Sequence, residues 1–388
     1  MFPTIGHLIY YLFGINFTFP VQTLGLFVAL SFLFSYMVFS SEFKRYEALG
    51  KIRAFTRNVV VGEKASVAEI SINSILGFLL GFKAFGAMFN YTVFSANPQG
   101  YLLSLKGNLV MAILTGAVFG LWVYADKKEK ELEQPKAEVQ TVHPYQLMGL
   151  IVFSVGFFGF IGAKLFDTVE HWSNFRYDPV GTLFNVRGFS YYGGLIFGAL
   201  TYLYIGHKKG MKLVHLADIG SPGMMLAYGI GRIGCQLAGD GDWGITNSHP
   251  KPGLIPGWMW SFTYPHNAIN AGLPIPDCAG NYCNQLLHGV YPTPFYEATI
   301  CLLFFTLMWV FRNKIIKPGF MFFLYLVLNG GERFMIELIR INPKYQIFGM
   351  DFTQAGYIGL LMVVGGLVGF VCLIIKTKNN LQKLQPVT

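Results

Sequence analysis

Long apolar stretches recur nine times along this 388-residue chain, and two of them contain an arginine. A run of about 17 to 25 apolar residues is what an α-helix needs to cross ~30 Å of hydrocarbon. The stretches are Val21–Phe39, Ser71–Asn90, Asn108–Ala125, Tyr145–Leu165, Tyr191–Gly206, Leu216–Gln236, Phe295–Phe311, Gly319–Leu338 and Gln354–Ile375. Composition agrees, with 53% hydrophobic and 13% charged residues, against about 25% charged in an ordinary soluble domain. The chain therefore reads as an all-α polytopic membrane protein forming one transmembrane domain over 1–388. The sixth stretch is the weakest, because His215, Asp218, Pro222, Arg232 and several glycines point to a broken or partly re-entrant helix.

Charge placement sets the expected orientation. With nine crossings and the N-terminus outside, the inner segments hold 19 of the 29 Lys and Arg residues. They are Lys44 to Lys64, Lys127 to Lys136, Lys208 to Lys212, Arg312 to Lys317 and Lys376 to Lys383. The outer segments keep Lys106, Arg176, Arg187, Lys251, Arg340 and Lys344. This is the positive-inside pattern, with the C-terminus inside, and the net charge of +9 follows from it and from anionic lipid at the inner face. No basic run is interleaved with stacking aromatics in a polar domain, so nucleic acid is not the expected partner. The first 40 residues lack a basic leader, and Lys44-Arg45 follow the apolar run, which is the pattern of an N-out anchor rather than a cleaved signal.

Two segments stand outside the apolar runs. Residues 237–292, rich in Gly, Pro, Asn and Trp, read as an ordered extracytoplasmic loop or lid. Cys278 and Cys283 lie there; a disulfide fits an oxidising compartment, and two free thiols are the alternative. The five-residue spacing without nearby histidines argues against zinc, and neither metal nor cofactor is expected. Asp126–Gln140 reads as a charged, solvated linker. Gly77–Lys83 and Gly156–Lys164 share glycines and a terminal lysine, a faint echo that close helix packing explains as well as duplication does.

The charges inside the apolar runs carry the functional reading. In hydrocarbon an arginine at mid-helix costs roughly 2.5 kcal/mol or more unless something pairs with it. Arg333 and Glu337 stand at i, i+4 on one helix face, either as an ion pair locking helices or as a phosphate-binding guanidinium fixed by its carboxylate. Arg232 lies in Gly231-Arg232-Ile233-Gly234, where glycines allow a headgroup close to the backbone. Asp240 and Asp242 follow, as a solvated turn or as groups orienting Arg232. Tyr296-Glu297 enters the seventh stretch, and Glu297 needs a partner. Asp218 is expected to bond the free N–H groups of its own helix start. Gly193-Gly194, opening the fifth stretch, marks a close backbone approach.

Taken in order, Gly188-Phe189-Ser190-Tyr191-Tyr192-Gly193-Gly194-Leu195, Leu216-Ala217-Asp218, Gly231-Arg232-Ile233-Gly234 with Gly239-Asp240, Tyr291 to Glu297, and Arg333 with Glu337 resemble bacterial prolipoprotein diacylglyceryl transferases. The resemblance covers 145–375 and, more loosely, 1–40. It implies transfer of the diacylglyceryl group of phosphatidylglycerol onto a lipobox cysteine of a prolipoprotein signal peptide, giving a thioether and glycerol phosphate, in the bacterial inner membrane. By the same resemblance Arg232, Asp240, Arg333 and Glu337 bind the headgroup and stabilise the leaving phosphate. Gly239, Tyr296, Glu297, Gly193 and Gly194 are implied substrate contacts, and Tyr192 joins the catalytic set.

The chain also departs from the family pattern. Tyr192 stands where many relatives have His, Cys235 where many have Asn, and Leu24 and Asn329 where the family has Tyr. These changes leave the general base open, with electrostatic activation by Arg333 and a relay role for Tyr192 as the expectation. Segment 45–143, with two crossings, reads as an insertion that preserves the orientation of everything after it. The competing reading is a non-catalytic lipid-binding or scaffolding paralogue.

Overall fold

A computed structural model describes residues 1–15, 21–96, 98–184, 188–347 and 349–384; Arg187, counted above among the outer basic residues, lies outside them. Among the described residues every expected crossing falls on a long helix: α1 Thr23–Ala48, α2 Val67–Phe89, α3 Leu109–Glu129, α4 Met148–Glu170, α5 Tyr191–Lys208, α6 Leu213–Ala238, α7 Thr293–Phe311, α8 Phe320–Glu337 and α9 Gln354–Leu384. Six of these, α1, α2, α3, α4, α7 and α9, are long and apolar enough to cross a membrane. The other three carry the glycines, tyrosines and charges of the motifs, which lowers their hydropathy. On α9, Leu361, Val364, Leu367, Val368 and Val371 all stand exposed. A soluble monomer rarely leaves so continuous an apolar face uncovered, so the fold is that of a helical membrane protein.

The chain divides into two units, one of Met1–Leu12, Gln22–Arg53 and Pro144–Thr388, the other of Phe13–Val21 and Ala54–His143. In the first, α6 is the central element, packed on α1, α7 and α8, while α8 packs on α9 and α5 chiefly on α4. Contrary to the sequence reading, α6 is one continuous helix through Pro222. Its glycines are packing seams and not breaks. A Cβ at Gly229 would meet Leu302 at 3.2 Å and Cys301 at 3.4 Å, and one at Gly234 would meet Phe27 at 2.7 Å. Removing side chains on these faces of one helix lets α7 and α1 approach it closely.

Asp218 also differs from its expected role. Its carboxylate accepts the N–H groups of Gly319 at 2.7 Å and Phe322 at 2.9 Å, so it caps the start of α8 from another helix. Nearby, the fully buried Glu42 receives Arg45 at 2.5 Å and Arg312 at 3.3 Å, and Arg45 donates to the Arg312 carbonyl at 3.0 Å. These bonds tie the end of α1 to the turn between α7 and α8.

Residues 237–292 are ordered, as expected, around a small core of Trp243, Tyr264 and Val290. Strands β3 Leu273–Pro274 and β4 Asn284–Gln285 pair antiparallel, and Cys278 is bonded to Cys283. Past α8, β5 Lys344–Ile347 and β6 Met350–Thr353 form a further hairpin.

The second unit is built on α2 and α3. Thr115 Oγ1 donates to Gly77 O at 2.9 Å, and Gly116 lies against Ser74 O, 3.0 Å from an added Cβ. The expected linker is in part a strand, because β2 Lys136–Val142 pairs antiparallel with β1 Phe55–Val61. Its residues remain almost wholly exposed, so solvation was read correctly while the strand was not.

The lysine echo has a structural counterpart in each unit. Helices α2 and α4 are both followed by two six-residue helices, Tyr91–Ala96 with Pro98–Leu103 and Trp172–Tyr177 with Pro179–Phe184, before the next long helix. Lys83 donates to the carbonyls of Tyr101 and Lys106, both at 3.0 Å, and Lys164 to that of Gly188 at 3.2 Å. Asn108 N bonds Phe82 O at 3.0 Å, and Ser190 N bonds Ala163 O at 3.0 Å. In both places the residue preceding the lysine receives the N–H that starts the returning helix.

Candidate active site

Three helices and a turn deliver the charges of the apolar runs to one place. Arg232, near the end of α6, is followed by Gly239 in the left-handed region at φ 66°, which ends the helix and folds Asp240–Asp242 back beside it. Glu297 comes from the second turn of α7, and Arg333 and Glu337 from the last turns of α8.

Glu297 is the hub, with its side chain 0% exposed. One carboxylate oxygen meets Arg232 Nε at 2.8 Å, and the other meets Arg333 Nη1 at 2.9 Å. Tyr228 OH donates to Glu297 at 3.2 Å and receives Arg333 Nη1 at 3.1 Å. Arg333 Nη2 reaches Glu337 at 2.6 Å. Glu337 is held in turn by Asn342 at 3.0 Å and by Thr353 Oγ1 at 2.7 Å. Arg232 also pairs with Asp242. The sequence reading thus finds its two arginines on one carboxylate, Glu297 with the partner it required, and Glu337 on Arg333.

Arg340, an outer-segment charge one further turn along the face of Arg333 and Glu337, belongs to this network. Its side chain is 3% exposed, and it bonds Asp242 at 3.0 Å and approaches Glu337 at 3.5 Å and Glu297 at 3.7 Å. Tyr228, which the sequence reading does not single out, belongs to it too. Three guanidiniums are therefore interleaved with three carboxylates, an arrangement that offsets the desolvation each charge would suffer alone. A guanidinium has five N–H donors, so Arg232 and Arg333 retain capacity for a further anion.

The two aspartates of the turn are treated differently. Burial works to raise the Asp242 pKa, yet Arg232 and Arg340 outweigh it and hold it below the usual carboxylate value. Asp240 is pushed up, first by burial and then by Asp242. Its carboxylate accepts the Asp242 N–H at 3.3 Å. Donor atoms of Cys235, Asp240 and Asp242 lie within 4.8 Å of one another, but Arg232 already places a cation there, and we assign no metal.

Other expected residues lie elsewhere. Tyr296 OH donates to the Met259 carbonyl at 2.6 Å, so this side chain anchors the loop while the adjacent Glu297 serves the cluster. Gly193 and Gly194 press α5 on α4, where an added Cβ would meet Phe166 at 2.6 Å and Ala163 at 3.5 Å respectively. Tyr192, beside them at the start of α5, is half-buried. An added Cβ at Gly239 would meet Asn267 at 3.0 Å and Met1 at 3.1 Å.

The family model described as prolipoprotein diacylglyceryl transferase matches residues 109–372, more than half of the chain. The chain belongs to this family. A protein of Leptospira interrogans named phosphatidylglycerol--prolipoprotein diacylglyceryl transferase is 30% identical over 234 residues, 55% of this chain and 66% of the relative. The match therefore spans just under two thirds of that relative's length. A Dehalococcoides mccartyi protein of the same name is 28% identical over 228 residues, 57% of this chain and 75% of its own. One from Streptococcus mutans is 24% identical over 276 residues, 70% of this chain and 90% of its own. All six charged residues of the cluster in this prolipoprotein diacylglyceryl transferase family member, Arg232, Asp242, Glu297, Arg333, Glu337 and Arg340, fall inside the matched region.

Proposed function

We propose that this chain transfers the diacylglyceryl group of phosphatidylglycerol to the thiol of a lipobox cysteine in prolipoprotein signal peptides. The thiolate attacks a glycerol carbon, a C–S bond forms, the C–O bond to phosphate breaks, and glycerol phosphate leaves with the electron pair. The observation that carries the reading is the convergence of Arg232 and Arg333 on Glu297, 2.8 and 2.9 Å away, within apolar helices. Such a pair of fixed guanidiniums is suited to phosphoryl oxygens on which charge develops, and preorganised donors of this kind contribute about 10²–10³ each in rate. Glu337, Asp242 and Arg340 keep the two arginines in place, and the names of the relatives support the same reaction. Tyr192, Gly239, Gly193, Gly194 and Tyr296 act around this centre, through the walls and the loop rather than as phosphate ligands.

The membrane arrangement that goes with this function is nine crossings, N-terminus outside and C-terminus inside, in the bacterial inner membrane. The loop 237–292 then lies on the outer face, where prolipoprotein thiols arrive, and its disulfide suits that side. Segment 45–143 is an insertion carrying two of the crossings. Labelling of introduced cysteines tests the topology: 126–140 and the C-terminal tail should react from the same face, and reaction from opposite faces overturns it. Incubating the purified protein with phosphatidylglycerol and a lipobox peptide tests the activity, the expected result being a peptide heavier by one diacylglyceryl group. A peptide of unchanged mass, with lipid bound, would make the chain a binding paralogue.

A further inference from the structure

The reaction releases the thiol's proton, and the three carboxylates that hold the arginines are already engaged. Glu297, Glu337 and Asp242 are each paired with guanidiniums at 2.6 to 3.0 Å, so a proton arriving there would have to displace an arginine. Tyr192 is a phenol, whose ordinary pKa of about 10 makes it a poor base at neutral pH.

Asp240 is placed differently. It sits one residue past the left-handed Gly239 that ends α6, and two residues from Asp242, which takes Arg232 and Arg340. Its carboxylate accepts the Asp242 N–H at 3.3 Å and a hydrogen bond from the Cys235 thiol. The groups that face it are Arg232 and Cys235 from α6, Asp242 from its own turn, and Tyr264 from the packed loop. Cys235 shows what this corner accommodates. Its sulfur lies 3.9 Å from Arg232 Nη1 and within 4.8 Å of a carboxylate oxygen of Asp240. A sulfur can thus lie between the phosphate-binding guanidinium and a carboxylate that no arginine neutralises directly.

Resting on the transferase reading above, we propose that Asp240 is the proton acceptor for the incoming lipobox thiol. The S–H bond breaks toward an Asp240 oxygen as sulfur attacks the glycerol carbon. The C–O bond to phosphate breaks, and its electron pair leaves on the phosphate held by Arg232 and Arg333. The proton then passes from Asp240 to the glycerol phosphate or to water at the loop. Two neighbouring carboxylates whose surroundings drive them apart commonly divide such roles, here Asp242 as the anchor of arginines and Asp240 as the base.

The test compares wild type, Asp240→Asn and Asp240→Glu in phosphatidylglycerol nanodiscs, with lipid binding checked for each. Peptides carry either cysteine or selenocysteine in the lipobox; a selenol is ionised at neutral pH and needs no base. Product by wild type with the cysteine peptide establishes the transferase reading independently, and no product there would count against that reading. Given product, Asp240→Asn should lose about 10²–10⁴-fold with cysteine at pH 6.5, the usual range for a positioned base. The deficit should shrink steadily toward pH 9, where free thiols ionise, and should largely vanish with selenocysteine. Asp240→Glu should restore part of the activity. A deficit of the same size at every pH and with both peptides, or no deficit, overturns the proposal.

Discussion

Replacing Glu297 with alanine removes the hub of the cluster, and the structure sets how much that should cost. The side chain is fully buried, is ion-paired with Arg232 at 2.8 Å, and accepts hydrogen bonds from Arg333 at 2.9 Å and Tyr228 at 3.2 Å. Removing one partner of a buried ion pair costs about 3–5 kcal/mol, because the other charge stays buried and unpaired. Here Arg232 keeps Asp242 and Arg333 keeps Glu337, which places the loss near the lower bound, about 3 kcal/mol. Glu297→Gln keeps the shape and one acceptor but not the charge, and should lose about 1.5 kcal/mol, the low end for a hydrogen bond to a charged group. The assay is thermal unfolding in nanodiscs of phosphatidylglycerol and, separately, of phosphatidylcholine. If a lipid phosphate settles on these guanidiniums, it partly replaces the missing carboxylate. A ligand at a hundredfold excess over its Kd adds about 2.7 kcal/mol, so the gap between wild type and Glu297→Ala should narrow in phosphatidylglycerol. An equal gap in both lipids would refute selective binding of the phosphatidylglycerol headgroup at the cluster, and no gap in either would refute the hub.

Arg232→Lys and Arg333→Lys should each lose about 10²-fold or more in transfer, since a lysine cannot hold a carboxylate and a phosphate with one planar fork; activity within a few-fold of wild type, measured by peptide mass, would count against the clamp. Tyr192→Phe should retain transfer to within about tenfold, the worth of one neutral hydrogen bond. Complete inactivity in a folded, lipid-binding protein would put Tyr192 in the proton path. Asp218→Ala removes the cap on α8 and should lower stability by about 1–2 kcal/mol while changing KM and kcat little. A variant that unfolds no more readily than wild type would show that the cap is dispensable.

Charge in an apolar setting is what made the site legible. Arg232, Glu297, Arg333 and Glu337 stood out because each would be expensive in hydrocarbon unless paired, and the structure pairs all four. Arg333, Glu337 and Arg340 follow the i, i+4, i+7 spacing of one helical face, which is what places Arg340 with them although it follows the end of an apolar run. Tyr228, one turn before Arg232, carried the same signal. Tyr296 was assigned to the substrate beside Glu297, but consecutive helix residues project about 100° apart and cannot both face one centre. The β1–β2 pair was not legible, because its partners are some eighty residues apart in sequence and its exposed, charged strand lacks a buried face to pattern it. Nor could spacing reveal whether the α6 glycines break a helix or admit its neighbours, since both uses demand the same residue.

The pairing of β1 with β2 sets Phe55 directly across from Val142. The two ends of a stretch of almost ninety residues therefore stand about one inter-strand spacing, ~4.8 Å, apart. A segment whose entrance and exit coincide behaves as a cassette. Its removal leaves a gap that a tight turn can close, at little loop-closure entropy, which makes β1–β2 the natural place to cut and rejoin this protein.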